Sequence, residues 1–331
     1  MAYDKTILSA VLRQMEMRRS EHQAEADALR AQLQERIPRL REIDRELQGI
    51  SARAVRAALD SGSDPEQAIN ALRDRSLALQ EEKRTLLIRH GYSPDCLTPK
   101  IDCPLCQDTG YCDNKLCRCV RQNYADEQTR RLSTILPIES ENFSSFRFDY
   151  YSNAIDQRLG RSPRFIIGDI FQHCRRFADT FGSHSENLLM FGSSGLGKTF
   201  LSSCIARVVS EHGFSVAYDT SNHIFSSFES VKFNGADSEQ AAIDLTKYRS
   251  ADLLILDDLG TELATAFTTS CLYDLLNGRL MQHKPMIINT NLLPKELETR
   301  YSPAIASRIL GEFTQLRFVG EDIRRFRRQN P

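Results

Sequence analysis

Three groups of residues in this 331-residue chain have types and spacing that can do chemistry. The first is GSSGLGKT, Gly192 to Thr199, which follows the apolar run NLLMF and precedes the helical pattern FLSSCIARVV. Gly192, Gly197, Lys198 and Thr199 fit G-x-x-x-x-G-K-[ST], and Gly195 adds backbone freedom inside the loop. Such a loop turns its amides inward around phosphates, and a helix that opens behind it points its N-terminus at the anion. The Lys198 ammonium then reaches the β- and γ-phosphates of ATP, and the Thr199 hydroxyl ligates Mg2+. Ser193, Ser194, Leu196 and Phe200 complete the stretch expected to line the nucleotide. A glycine-rich turn that matches by chance is the alternative, and the order strand, loop, helix argues against it.

The second group should hold the metal and a water. ADLLILDDLGTE, residues 251 to 262, places Asp257 and Asp258 at the end of an apolar strand, where open parallel sheets bind ligands. Asp257 is the expected magnesium ligand, and Asp258 is placed to polarise the attacking water, with Glu262 able to take a share of that role. In PMIINTN, Asn291 closes another apolar strand and is a candidate to orient the water; its alternative is an amide satisfying a strand-end turn. Arg300 and Arg308 fall on or beside a helix in RYSPAIASRILGEF, and Arg308 is a candidate finger into a neighbouring subunit's γ-phosphate. Arg324 in GEDIRR is a second candidate phosphate sensor. A solvated or salt-bridged arginine is the plain alternative for each.

The third group is five cysteines between Cys103 and Cys119. Cys103-x2-Cys106 forms one knuckle, Cys117-x-Cys119 supplies another pair, and Cys112 lies between them. Four thiolates satisfy tetrahedral Zn2+, and a loop this poor in apolar residues needs metal to order it. Cys112 can replace either later cysteine in that count. An iron–sulfur cluster or unligated thiols are the alternatives. Cys174, Cys204 and Cys271 sit in apolar helical contexts and read as core.

These groups need scaffolds. Strands are expected at 188–191, 215–219, 253–257, 286–290 and 315–319, with helical patterns between them, which implies a parallel sheet covered on both faces. Residues 5 to about 90 contain almost no glycine and repeat Leu29, Leu33, Ile37, Leu40, Ile43, Leu47 and Ile50 near helical spacing. Long amphipathic helices follow from this, with a kink at Pro38 and a break at DSGSDPEQ, where Ser63 or Asp64 caps a second helix that Pro65 opens. The stretch 136–153 carries aromatics without a helical period and reads as a linker docking on the next domain. Its predecessor, 91 to about 122, is an irregular loop-rich module, with a short helix after it.

Net charge is −1, so any nucleic-acid contact must come from local patches. Lys232 with Phe228 and Phe233 offers a cation and stacking surfaces of the kind that single strands use, against the alternative of a core-facing helix. Arg324, Arg325, Arg327 and Arg328 around Phe326 offer phosphate contacts or a merely solvated end. No run of about 18 apolar residues appears, and the N-terminal stretch becomes charged too early for a signal peptide. A cytoplasmic protein that does not enter a membrane is expected, with its cysteines reduced.

The succession GSSGLGKT, LLILDDLGTE, IINTNL, SRIL and GEDIRR resembles the AAA+ ATPases of the bacterial helicase-loader group, DnaC and DnaI, and their relative IstB, the transposition helper. ENFSSFRFDYYS and the CPLCQDTGY module are similar to DnaC-type loaders, so the resemblance covers about residues 96 to 331. It implies an α/β fold: an AAA+ P-loop core with a parallel five-stranded sheet, preceded by an α-helical region and a small zinc module. The expected division is a partner-binding helical region over 1–90, the cysteine module over 91–135, a linker over 136–160 and the ATPase over 161–331. The resemblance makes Gly192 to Thr199 Walker A, Asp257 and Asp258 Walker B, Asn291 sensor 1, Arg308 the arginine finger and Arg324 a sensor-2 position. It selects Cys103, Cys106, Cys117 and Cys119 as the zinc set. It implies ATP-controlled placement of the replicative hexameric helicase on single-stranded DNA, with self-assembly on the helicase. The rival it implies is a transposition helper that binds duplex DNA and a transposase.

Overall fold

The structure is a computed structural model that describes residues 3–59, 65–133, 136, 141–233 and 237–324, without the side chains of 51–59, 65–69 and 133. The expected cap at Ser63 or Asp64, and Arg325, Phe326, Arg327 and Arg328, lie outside the described residues. Two compact units emerge, Leu12–Cys117 and a second made of Met1–Val11 with Arg118–Pro331. No helix among the described residues is long and apolar enough to cross a membrane.

Helix α1 spans Lys5–Arg36, α2 Pro38–Leu59 and α3 Pro65–Arg89. Pro38 does more than kink a helix. It lacks the amide that continuation would need, so one helix ends at Arg36 and Pro38 opens the next. Within the first unit Leu33, Ile37 and Leu40 pack against Leu87 and Leu97. Lys83 and Asp44 form an ion pair at 2.7 Å beside this small core, as do Arg39 and Glu82. A two-stranded hairpin, β1 (Tyr111–Cys112) and β2 (Lys115–Leu116), turns through Asp113 and Asn114, both with positive φ. Asx residues tolerate that conformation best after glycine.

The second unit begins with α4 (Arg118–Ser133) and α5 (Pro163–Asp179). It then alternates β3 (Asn187–Phe191), α6 (Lys198–Glu211), β4 (Val216–Thr220), α7 (Ser221–Lys232), α8 (Ser238–Ser250) and β5 (Leu253–Leu259). It continues through α9 (Ala266–Met281), β6 (Met286–Thr290), α10 (Pro294–Arg300), α11 (Pro303–Glu312) and β7 (Phe313–Arg317). All five strands pair in parallel in the order β4-β5-β6-β3-β7. The last strand starts two residues before its expected position because its pairing with β3 aligns Phe313 with Asn187.

Alternation along β3 divides the core. Leu188 and Met190 face a cluster with Ile167, Cys174, Leu201 and Ile205 of α5 and α6, whereas Leu189 and Phe191 face one with Ile224, Leu272, Leu276 and Ile305 of α7, α9 and α11. Each such fully buried aliphatic side chain stabilises the fold by about 1.5–3 kcal/mol. Arg279 carries a charge into this interior. Its guanidinium donates to the carbonyls of Tyr248, Ala251 and Pro285, tying the end of α8 to the starts of two strands, and burial pushes its pKa down to about 9.

Candidate functional site

The β3–α6 loop opens into a cavity of about 590 Å³. Ser194, Gly195, Leu196, Gly197, Lys198, Thr199 and Phe200 form one wall, while Asp257, Asp258, Asn291 and Arg324 converge from the ends of three other segments. Three loop glycines are demanded by geometry: Gly192 has φ +139° and a side chain there would meet Phe318 O at 2.3 Å. Gly195 has φ +75° and a side chain there would meet Asp322 Oδ1 at 1.8 Å; Gly197 has φ +89° and would meet Tyr151 Oη at 2.8 Å. Chain from outside the loop thus presses directly on it. Ile323 N donates to Gly195 O at 2.9 Å, and Tyr151 Oη donates to Leu196 O at 2.9 Å.

Lys198 lies at the start of α6 and is 6% exposed. Its ammonium donates to Gly192 O (2.7 Å), Ser193 O (2.9 Å) and Asn291 Oδ1 (2.8 Å). Burial pushes its pKa down to about 8, partly opposed by Asp257 and Asp258. Thr199 Oγ1 donates to Asp257 Oδ2 at 3.0 Å, which brings together the two expected magnesium ligands. Tyr218 Oη donates to the same oxygen at 2.6 Å, and the Asp258 amide donates to Oδ1 at 2.9 Å. Asp257 is therefore fixed from three directions.

Asp258 is held in the left-handed region, φ +53°, a strained conformation for a residue other than glycine. The surroundings enforce it, since its carbonyl accepts Ser221 Oγ, Thr261 Oγ1 and Thr261 N. Desolvation first, and Asp257 beside it second, raise its carboxyl pKa, which makes it a better proton acceptor when ionised. Glu262 does not share this position. It is buried away from the cavity, where Ser221 Oγ and Gly260 N donate to Oε2 and Tyr301 Oη donates to Oε1.

The arginines separate. Arg324 lines the cavity, whereas Arg308 lies over the Tyr273 ring at 5.1 Å, donates to its hydroxyl at 3.2 Å and does not line the cavity of its own chain. Arg300 is engaged by Glu262, its Nε lying 3.7 Å from Oε1.

Sequence reasoning missed the outer wall. The segment read as a docking linker also lines the cavity through Glu141, Ser145, Phe146, Arg147, Tyr150 and Tyr151. Phe146 packs edge-on to Phe200 at 5.6 Å and stacks with Tyr151 at 5.9 Å, so this segment docks on α6 while presenting rings to the cavity. The clustering of aromatics just before the ATP-loop unit was the available signal. Tyr218 was missed as well, and its signal was its place on the strand before the expected acid pair.

Two further features match the sequence reading in part. Between α7, α8 and α9 a groove of about 550 Å³ is lined by Phe228, Lys232, Arg249 and Phe267. Lys232 Nζ sits 4.5 Å over the Phe267 ring and 5.6 Å over that of Phe233, which is 70% exposed, while Phe228 mainly faces the core. In the cysteine segment, the Sγ atoms of Cys103, Cys106, Cys117 and Cys119 all lie within 4.8 Å of one another. The Cys103–Cys117 sulfur separation is 3.8 Å, about the edge of a tetrahedron with ~2.3 Å zinc–sulfur bonds. The donor set fits Zn2+. Cys174, Cys204 and Cys271 are buried core thiols whose pKa burial raises.

The family model for IstB-like ATP binding proteins matches residues 173–325. A curated relative, described as an ATP-binding protein in an insertion sequence of Mycobacterium tuberculosis, is 25% identical over 126 residues, 38% of this chain and 49% of its own length. The chain thus matches about half the length of that relative. Among solved structures, the DnaC helicase loader is 18% identical with a TM-score of 0.46, covering 55% of this chain and 99% of that one. AMPPCP-bound DnaA from Aquifex aeolicus is 20% identical with a TM-score of 0.41, covering 56% and 52%. With its parallel five-stranded sheet and the loop at the end of β3, the segment 173–325 has an AAA+ P-loop fold and is similar to IstB-like ATP binding proteins.

Proposed function

We propose that the protein is an ATP-dependent loader that engages a replicative hexameric DNA helicase and places it on single-stranded DNA. The observation that carries this reading is the pairing in one chain of a complete nucleotide cavity with a separate helical unit that includes most of the cysteine module and lies outside the IstB-like match. That unit has no catalytic constellation among its described residues, and gripping a protein partner is the role its amphipathic helices suit. The groove of Lys232, Arg249 and Phe267, with the exposed Phe233 ring near Lys232, supplies the cations and ring faces that single strands stack on.

In this reading the loop amides and Lys198 hold the phosphates of ATP, and Thr199 and Asp257 hold Mg2+, which supplies charge neutralisation between phosphate oxygens. Asp258 accepts the proton of the attacking water, Asn291 orients it, and Arg324 senses the phosphate from the same chain. Arg308 acts on the cavity of a neighbouring copy, which fits its position away from its own. ATP binding favours assembly and strand contact, and hydrolysis reverses them. Tyr218→Phe removes one charge-assisted bond to Asp257 and leaves the phosphate loop intact. It should raise the Mg2+ concentration for half-maximal hydrolysis about tenfold, the equivalent of roughly 1.4 kcal/mol, with nucleotide affinity in the absence of metal unchanged. A magnesium titration of phosphate release checks this, and an unchanged midpoint rejects the positioning role.

A second reading is favoured by the family match and by the relative in an insertion sequence: a transposition helper that assembles on duplex DNA and recruits a transposase. One experiment separates the two. The purified protein is mixed with its host's replicative helicase, with and without ATP, and complex mass is measured together with helicase loading on single strands coated by their binding protein. An ATP-dependent complex that loads the helicase supports the loader. Absence of a complex, with ATP-dependent filaments on duplex DNA, replaces it with the helper.

A further inference from the structure

Glu262 is 4% exposed, and a carboxylate so far from water needs a reason. It closes a turn that opens at Asp258, where Thr261 N donates to Asp258 O at 3.2 Å. Along this turn the side chains part: Asp258 lines the cavity, whereas Leu259 and Glu262 are buried. The Glu262 carboxylate reaches back to the turn itself, since its Oε2 accepts Gly260 N at 2.9 Å. Ser221 Oγ lies 2.8 Å from that same oxygen and 3.0 Å from Asp258 O, so its one proton bridges the carboxylate and the carbonyl of the strained residue. Oε1 accepts the Tyr301 hydroxyl, and Arg300 Nε, 3.7 Å away, balances the charge. Gly260, with φ +104°, leaves no room for a side chain against Leu292, the neighbour of Asn291. The turn is thus wound around one buried carboxylate and packed against the strand end that carries Asn291.

We propose that Glu262 is a positioning residue for hydrolysis: its carboxylate is the template for the 258–262 turn and thereby sets where the Asp258 carboxylate stands. The proposal rests on the reading of Asp258 as the group that accepts the proton of the attacking water. Glu262 does not line the cavity, so it acts through its neighbours and touches neither nucleotide nor water. A left-handed Asp258 persists only while its surroundings over-determine it. An ionised acceptor holds N–H and O–H donors about twice as strongly as a neutral one, which is what a carboxylate brings to this place. Without it, Gly260 N and Ser221 Oγ lose their common acceptor, and the Asp258 backbone is free to leave the left-handed region. A carboxylate displaced by about 1 Å from the reacting water costs rate. Nucleotide affinity is spared, because Lys198 and the amides of the β3–α6 loop do not depend on this turn.

The test compares Glu262→Ala, Glu262→Gln, Ser221→Ala and Asp258→Asn in the full chain, at a temperature where thermal melts show each to be folded. Phosphate release gives kcat, and fluorescent-nucleotide titration gives Kd. Glu262→Ala should lower kcat about 20-fold or more, with Kd within about threefold of wild type. Glu262→Gln keeps a carbonyl oxygen for Gly260 N and Ser221 Oγ and turns its amide to the Tyr301 oxygen, so kcat should return to within about fivefold of wild type. Ser221→Ala removes only the bridge to Asp258 and should lower kcat about fivefold; it carries the test if Glu262→Ala does not fold. Glu262→Gln as inactive as Glu262→Ala overturns the proposal, since the ionisable group itself is then required. Wild-type kcat in both Glu262→Ala and Ser221→Ala, or a Kd that rises in step with the loss of rate, overturns it as well. Wild-type hydrolysis by Asp258→Asn overturns the reading of Asp258 instead, and the proposal falls with that reading.

Discussion

Lys198→Ala is expected to lower nucleotide affinity about 100-fold or more and to bring phosphate release to background, while the melting temperature changes by only a few degrees. The affinity loss follows from removing a charge-assisted donor in a mostly buried site, where truncating one partner costs about 2–5 kcal/mol. The small stability effect follows from the opposing terms at the same group. In the free protein the ammonium is fully engaged with Gly192 O, Ser193 O and Asn291 Oδ1, yet its pKa is pushed to about 8 by burial. Burial therefore disfavours the charged form relative to water, and the surrounding polar groups offset this only in part. Alanine removes both sides of this balance, and the open cavity lets water reach the freed carbonyls. Fluorescent-nucleotide titration and a thermal melt check the pair, and an affinity within threefold of wild type rejects the phosphate role.

The same residue sets a pH dependence whose sign can be worked out. Folded Lys198 releases its proton near pH 8, whereas the unfolded chain keeps it to about 10.5. Between these values the unfolded state binds more protons, so this group's contribution to stability rises with pH across the window. Nucleotide binding runs the other way. In the proposed role the phosphates require the ammonium, so affinity should fall above pH 8 with a slope approaching tenfold per pH unit, measured by titration from pH 7 to 10. A flat profile would mean that Lys198 keeps its proton throughout and is less desolvated than its position implies.

What was legible in the sequence was local. The strand–loop–helix at GSSGLGKT announces itself because its glycines, lysine and threonine stand within eight consecutive residues, and the apolar run before it can only be a buried strand. The strands of the sheet were placed within two residues for the same reason, each being an apolar run bounded by polar ends. What was illegible depends on pairing between distant segments. Tyr218 reaches Asp257 only because β4 and β5 lie side by side in parallel, with Thr220 opposite Asp257. Glu262 has the composition of a second carboxylate at the site, but Ser221 and Tyr301, far apart in sequence, draw it into the interior. Phe146 and Tyr151 showed that their segment docks, and only the packing of Tyr151 against Leu196 and Gly197 shows that docking closes the cavity. Likewise Lys232 takes Phe267 as its ring partner, a residue of α9 that no local pattern joins to it.

A Cys103→Ser, Cys106→Ser double variant is expected to lose essentially all bound zinc and to become protease-sensitive over residues 101–119, with nucleotide binding unchanged. The physical ground is that this segment has almost nothing else to hold it. Leu105, Tyr111 and Ile101 point outward, with Leu105 59% exposed, so the apolar residues of the segment add little to a core. The knuckle is shaped instead by Asp108, whose carboxylate accepts Asp102 N at 2.9 Å and Cys103 N at 2.7 Å, with Gln107 and Asp108 both in the left-handed region. Backbone strain of about 1–3 kcal/mol at each such residue persists only where something over-determines it, and a pair of bonds to one turn does not. Four thiolates around zinc do, since structural sites contribute about 10–16 kcal/mol of apparent folding free energy in small finger peptides. Two remaining cysteines cannot close a tetrahedron, so metal content by elemental analysis should fall to the level of a cysteine-free control. Limited proteolysis then reports whether the order of the segment went with it. Full zinc in the double variant would refute the ligand set, and zinc loss without new cleavage would mean that the Asp108 turn holds the segment unaided.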